Sequence, residues 1–339
     1  MSDMQLPRQV PAFLALTGQR IPIIQAPIGS AATPELAAAV TRAGGLGGLA
    51  LTWSDAAQVR TAVRAAHGAA GGGRFFANFV LHFPCEGFDA ALDAGVPAVT
   101  LSWGIDAERV ARAQRAGARV GIQVGSPSGA RRAREAGADF LIAQGNEAGG
   151  HVQSTTPLAA LLPAVLQEAG DLPVIAAGGI ASGAAMARAI AAGAAGAMMG
   201  TRFVATTEAA AHAAYKAALV ASGGGDTAFT NCFDIGWPHA MHRVLRNATL
   251  TAWEAAGSPQ PPFRPGEGDV VFRHDGEDYP RYCDTPPMPG AVGTVLSASL
   301  YAGTGVGEIR SVEPAGPLVA RLWADASAAL AASGGVAGT

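Results

Sequence analysis

The chain has 339 residues, a net charge of −3, and 49% hydrophobic against 14% charged residues, which suits one large α/β barrel or two ordinary domains and excludes a disordered chain. With no basic block, no apolar run of membrane-spanning length and no secretory pattern at its start, it is not expected to bind nucleic acid or to enter a membrane. Three scattered cysteines, Cys85, Cys232 and Cys283, show no metal-ligand spacing and suggest a reduced, cytoplasmic protein without disulfides.

Short apolar runs recur through the first two-thirds of the chain. They are Ile21–Pro27, Leu46–Leu51, Phe75–Leu81, Ala98–Trp103, Arg119–Val124, Phe140–Ala143, Val174–Ala177 and Ala195–Met199. Their near-continuous apolar character fits strands of a parallel sheet covered on both faces. Between them lie Ala/Arg/Glu-rich stretches of helical period: Pro34–Arg42, Asp55–Ala66, Ala107–Arg115, Ala130–Glu135 and Gly183–Ala191. Ala-Gly pairs at Gly44, Gly95, Gly117, Gly137 and Gly193 precede the next strand, where a glycine can end a helix. Thr33-Pro34 and Ser126-Pro127 pair a capping hydroxyl with a proline at the first helical position. Eight strand–helix units in order predict a (β/α)8 barrel; a doubly wound sheet is the rival.

The pattern changes after Phe203. Thr206–Ala221 reads as a helix, and a less regular stretch follows, with a long loop over Pro259–Pro289. Val292–Ala302 also reads as helical, and a last helix near Pro317–Ala331 is expected to pack back on the barrel. The expected organisation is a barrel from 1–205 plus 292–339, with 206–291 a mostly helical insertion covering the active site. The tail Ser333–Thr339 is expected to fray.

Function gathers at the carboxyl ends of barrel strands, with a frequent phosphate site after strands seven and eight. Gly178-Gly179 and Gly200-Thr201 stand at those two places, where backbone N–H groups can approach an anion. After the sixth strand comes Gln144-Gly-Asn-Glu-Ala-Gly-Gly-His151, a histidine beside two glycines. By position alone His151 reads as structural or catalytic, and its glycine-flanked setting favours chemistry. Glu147 reads as an orienter of that ring or as a helix cap. Asn78, inside an apolar strand, needs hydrogen-bond partners from a heterocyclic cofactor or from neighbouring backbone; Gln123 and Gln144 raise the same question. Ser102-Trp103-Gly104 ends strand four at the expected pocket. His239 and His242 have metal-like spacing, but no completing ligand stands near them, so they read as two histidines on a helix surface and no metal is expected. Gly44–Gly48 precedes a strand, whereas a dinucleotide fingerprint follows one.

With these motifs the chain resembles the nitronate monooxygenases, formerly 2-nitropropane dioxygenases. The anchors are Pro22–Pro27, Ala43–Gly47, Ala143–His151, Pro173–Ile180, Met199–Phe203 and Tyr301–Val306. The resemblance implies a TIM barrel that binds FMN non-covalently under a helical cover. It places the FMN phosphate at Gly178, Gly179, Gly200 and Thr201. It places Ala26, Asn78, Gln123, Gln144 and Gly150 near the ring or ribityl chain, and makes His151 the catalytic residue. The implied reaction is oxidation of an alkyl nitronate, or of a nitroalkane, by O2 to a carbonyl compound and nitrite. The chain departs from the pattern at Thr304, where the motif usually has Gln, at Val152-Gln153, where many members have Arg-Gly, and at Gln123, a lysine in some relatives. An NAD(P)H-dependent FMN reductase, of quinone reductase or enoyl-ACP reductase type, shares the fold and is the alternative. The oligomeric state is open, a homodimer among the options.

Overall fold

The computed structural model describes residues 6–334. Eight parallel strands form one sheet. In chain order they are β1 (Ile23–Gln25), β2 (Gly47–Ala50), β3 (Phe75–Val80), β4 (Ala98–Ser102), β5 (Arg119–Val124), β6 (Phe140–Gln144), β7 (Val174–Ala177) and β8 (Gly196–Met199). Neighbours run β1-β8-β7-β6-β5-β4-β3-β2, and a parallel bridge between Ile24 and Leu46 joins β1 to the start of β2. The sheet therefore curls into a barrel, and every strand coincides with one of the apolar runs.

Helix signals in the sequence also hold. Thr33 Oγ1 accepts from Leu36 N–H at 3.0 Å and Ser126 Oγ from Gly129 N–H at 3.1 Å, each capping a helix that begins with proline. The five glycines of the Ala-Gly pairs all have left-handed φ, between 76° and 104°. The last helix, Ala315–Gly334, lies against helices Pro34–Ala43 and Gly183–Ala191. It includes Ser333; residues 335–339 of the tail expected to fray lie outside the described residues.

A chain poor in aromatics fills its barrel by pairing large with small. Phe76 and Phe140 point inward with Ile24, Ile142, Ile175 and Met198, all buried. Phe13, on helix Gln9–Thr17, plugs the amino-terminal end and meets the Phe140 ring edge-on at 5.5 Å. Room for these rings comes from glycine on the neighbouring strand. A Cβ on Gly48 or on Gly121 would sit 2.3 Å from the Phe76 or Phe140 ring.

The segment between β8 and the last helix departs from the helical expectation. It holds helices Ala213–Ala221 and Ala248–Ala255, but also strands Thr227–Thr230, His242–Leu245, Val270–His274 and Glu277–Pro280. Residues 206–212 precede the first of these helices as irregular chain. Val292–Ala302, expected as a helix, forms a two-residue strand, Val292–Gly293, and a 3-10 turn, Val295–Ser297. Its end then runs beside His242–Leu245: Leu245 N–H donates to Leu300 O at 2.8 Å and Ala302 N–H to Arg243 O at 3.2 Å. Backbone groups that a helix would have paired internally are paired here with a neighbouring strand.

Gly121→Ala should overpack the barrel against Phe140 and cost about 1–3 kcal/mol. Urea unfolding should show a lower midpoint with an unchanged slope.

Candidate active site

The loop after β6 does not end in free coil. Gly150–His151 forms a two-residue strand that pairs antiparallel with His242–Leu245, in the register His151 to His242 and Gly150 to Arg243. Thr227–Thr230 flanks the other side of His242–Leu245. His151 is thus fixed on its barrel side by the end of β6 and on its outer side by the 206–291 segment.

Gln144, the last residue of β6, ties the loop down. Its Nε2 donates to His151 O at 3.4 Å, and its Oε1 accepts from Gln153 N–H and from Gln123 Nε2, each at 3.1 Å. Gln123 Nε2 also donates to Gln153 Oε1 at 3.0 Å. Asn78 finds its partners on the adjacent strand, donating to Thr100 O at 3.2 Å and to Thr100 Oγ1 at 3.0 Å. Ala26 continues from β1, and its N–H donates to Met199 O at the end of β8.

Of the two readings of Glu147, helix capping holds. Its two carboxylate oxygens accept from Leu158 N–H at 3.0 and 2.9 Å, at the start of helix Leu158–Ala169. The carboxylate suits the positive end of that helix.

The turn Gly303–Gly307 joins the loops after β6, β7 and β8. Thr304 N–H donates to Glu147 O at 3.0 Å, and Gly303 N–H donates to Thr201 Oγ1 at 2.9 Å. Accepting that bond uses a lone pair and leaves the Thr201 hydroxyl proton free to donate. Gly178 and Gly179 have φ of 116° and 66°, conformations open to glycine. A Cβ on Gly179 would sit 2.8 Å from Thr304 Oγ1 and 3.0 Å from Glu147 Cβ, whereas Gly150 has open space beside it. A Cβ on Gly200 would stand 3.5 Å from the Ile28 side chain and 3.6 Å from Ala26 Cβ, which ties the end of β8 to the residue after β1. Gly149, two residues before His151, packs so closely on Gly303 that a Cβ would fall 2.5 Å from its nitrogen. Through this turn the histidine loop and both glycine sites share one end of the barrel.

The His151 ring lies among aromatic groups, 4.4 Å from Trp237, 5.3 Å from His242 and 5.5 Å from Tyr301. Its Nε2 is buried without a hydrogen-bond partner. Burial, reinforced by His242, pushes its pKa down to about 3. The imidazole is therefore neutral at physiological pH. His242 is fully buried, and both its nitrogens are satisfied: Nδ1 donates to Ala240 O at 2.9 Å, and Nε2 accepts from Phe233 N–H at 3.2 Å. These bonds require a neutral ring, and burial lowers its pKa to about 4.

That corrects the reading of His239 and His242 as two helix-surface histidines. His242 is on a buried strand, and His239 is an exposed loop residue with φ 64°. No group of three or more His, Cys, Asp or Glu side chains suited to a metal occurs among the described residues. Trp237, Tyr301 and His242 complete the surroundings of His151. Tyr301 stood in a motif of the sequence and His242 in a pair of metal-like spacing, whereas Trp237 stood in neither, and the register that brings all three to the loop is a tertiary property.

Both histidines ordinarily titrate at 6.5, so below that pH the unfolded chain binds protons that the folded one refuses until about 4 for His242 and about 3 for His151. The stabilisation by neutral burial is complete above 6.5 and is lost as pH falls through this window. The urea midpoint should drop from neutral pH to about pH 5, and His242→Gln should drop less than the wild type over the same interval. An equal drop in both proteins would contradict this assignment.

The family profile described as nitronate monooxygenase matches residues 85–325. A curated nitronate monooxygenase of Paraburkholderia phytofirmans is 32% identical, over 75% of this chain and 81% of its own. A relative in Rhodococcus jostii is 34% identical over 73% of this chain and 69% of its own, and is named (3aS,4S,5R,7aS)-5-hydroxy-7a-methyl-1-oxo-octahydro-1H-indene-4-carboxyl-CoA dehydrogenase. Among solved structures, the nitroalkane oxidase of Streptomyces ansochromogenes has 31% identity and a TM-score of 0.76, covering 95% of this chain and 99% of that one. FabK of Thermotoga maritima has 26% identity and a TM-score of 0.78, covering 95% and 98%. No helix among the described residues is long and apolar enough to cross a membrane. The barrel is that of an oxidoreductase, and the chain belongs to the nitronate monooxygenase family.

Proposed function

We propose that this protein oxidises alkyl nitronates with O2 to a carbonyl compound and nitrite, using FMN held at the carboxyl end of the barrel. The observation that carries the reading is the buried, unpartnered Nε2 of His151 on a loop tied through Gly303 to the glycine sites. An unsatisfied polar atom in such a place is a vacancy in the hydrogen-bond account that a ligand can fill.

The residues present fit FMN. Gly178, Gly179 and Gly200 leave backbone without side chains, and Thr201 keeps a hydroxyl proton to donate, which suits the phosphate. Ala26, Asn78, Gln123, Gln144 and Gly150 would adjoin the ring and ribityl chain; Gly150 has open space, and the amides have lone pairs and protons to exchange from their present partners. When bound, FMN supplies electron acceptance from the substrate and passage of electrons to O2.

His151 acts as a neutral imidazole. With a pKa of about 3 it brings no fixed positive charge, so it does not hold a nitronate as an ion pair in the resting state. In the tautomer that carries its proton on Nε2 the ring donates to a nitronate oxygen, and in the other it presents a lone pair there. When the substrate is the neutral nitroalkane, the α-carbon proton passes to that nitrogen and the electron pair moves into the nitro group. The anion so formed stands beside the new imidazolium and raises the pKa of the ring, which offsets the cost of charging it in a buried place.

A reductase using NAD(P)H is the second reading. It is favoured by the likeness to FabK. A cavity of about 270 Å³ beside Gln123, bordered also by Gln153, Ser126 and Arg132, gives room for a second group there. Arg131 and Arg134, which flank Arg132 on helix Pro127–Glu135, are occupied with Glu168, so these arginines form no open basic patch.

His151→Ala should retain bound flavin and lower turnover of a nitroalkane by about 10²–10⁴-fold, measured as nitrite release. Undiminished release would remove His151 from the chemistry. Gly179→Val should lose the flavin on gel filtration, because a side chain there meets Thr304 and Glu147 and strains a left-handed backbone. A fully yellow Gly179→Val protein would displace the phosphate site from this loop.

A further inference from the structure

Only 6% of the residues are aromatic, yet three of the five tryptophans gather at one side of His151. Trp237 covers the imidazole, its ring 4.4 Å away and tilted by 31°. Behind it stand Trp103 at 4.6 Å, Phe83 at 5.0 Å and His82, stacked at 5.4 Å. Trp53 continues the series, edge-on to Phe83 at 5.2 Å and 61% exposed.

These rings come from four separate places: the loops after β2, β3 and β4, and the 206–291 segment. None of these sequence neighbourhoods requires the others, so the convergence is a property of the site. Trp103 also holds a φ of 57°, a conformation bulky residues seldom adopt and one that tends to be kept where function needs it. The series runs from solvent at Trp53 to a buried nitrogen with no partner at His151.

We propose that Trp53, His82, Phe83, Trp103 and Trp237 form an aromatic wall leading to His151, and that this wall selects planar aryl substrates over small alkyl ones. The inference rests on the reading of His151 given above and adds the substrate class. A ring entering along this wall finds offset or edge-on partners at each step, and the polar nitro group reaches the orphaned imidazole nitrogen. A small alkyl chain leaves the rings without a partner. Trp237 touches the base itself and is the specificity-determining member.

Two measurements separate this wall from the reaction. In the first, kcat/KM is compared for the nitronates of phenylnitromethane and nitroethane. The wild type should favour the aryl substrate by about tenfold or more, and Trp237→Leu should bring that ratio close to one, with Trp237→Phe retaining most of it. Trp103→Leu, further from the base, should lower the ratio in the same direction and serves if the first variant does not fold. In the second, calorimetry follows nitrobenzene, which has no α-hydrogen to lose. Its binding to the flavin-loaded protein should weaken about tenfold in Trp237→Leu. Turnover with no aryl preference, or a ratio and a nitrobenzene affinity unmoved by either substitution, overturns the wall and leaves the oxidase reading standing. Absence of turnover of both nitronates, with nitrobenzene binding still dependent on Trp237, overturns the oxidase reading and leaves the wall.

Discussion

The antiparallel pairing of Gly150–His151 with His242 and Arg243 is the constraint on which the site depends. A histidine in a glycine-flanked loop has no intrinsic reason to hold one position. Here the loop is fixed at its base by Gln144 and at its tip by a strand from a distant part of the chain. Side chains across such a pair face one another, so the register that sets the backbone also sets His242 against His151. The segment after the barrel is therefore part of the site, since it provides the pairing strand and the ring that covers the imidazole.

Neutrality of His151 follows from the same arrangement. The ring is shut in by Trp237, His242 and Tyr301, and none of the three offers it a counter-charge. Desolvation then has nothing to oppose it, and the charged form is disfavoured. His242 is locked neutral by two backbone partners, so its contribution is shape and a low dielectric. In the function proposed above, this neutral ring would take up charge as a substrate anion forms beside it. Proton transfer would then be coupled to the presence of the right ligand.

The barrel was legible in the sequence because its signals are local. Each strand is a short apolar run, helix starts such as those at Thr33 and Ser126 carry a cap, and each of the five Ala-Gly pairs marks a left-handed stop. The segment after β8 is not legible in this way, because its strands are four or five residues long, too short for a period to declare itself, and are held by partners outside their own local stretch. Val292–Ala302 has the composition of a helix, yet its end serves as an edge to His242–Leu245. The glycines and His151 were visible as motifs. Trp237 stood in an irregular, proline-containing stretch, and nothing in its neighbourhood tied it to His151. Glu147 read as an orienter of the histidine or as a helix cap, spacing could not choose between them, and the start of the next helix claims it.

The source of the electrons that enter the site separates an oxidase from a reductase. Anaerobic stopped-flow mixing of the purified flavoprotein with a nitronate, and separately with NADH and with NADPH, reads this directly. The account predicts rapid loss of the oxidised-flavin absorbance with the nitronate and none with either nicotinamide. Rapid bleaching by NADH or NADPH with no response to nitronates would contradict it and make the protein a reductase.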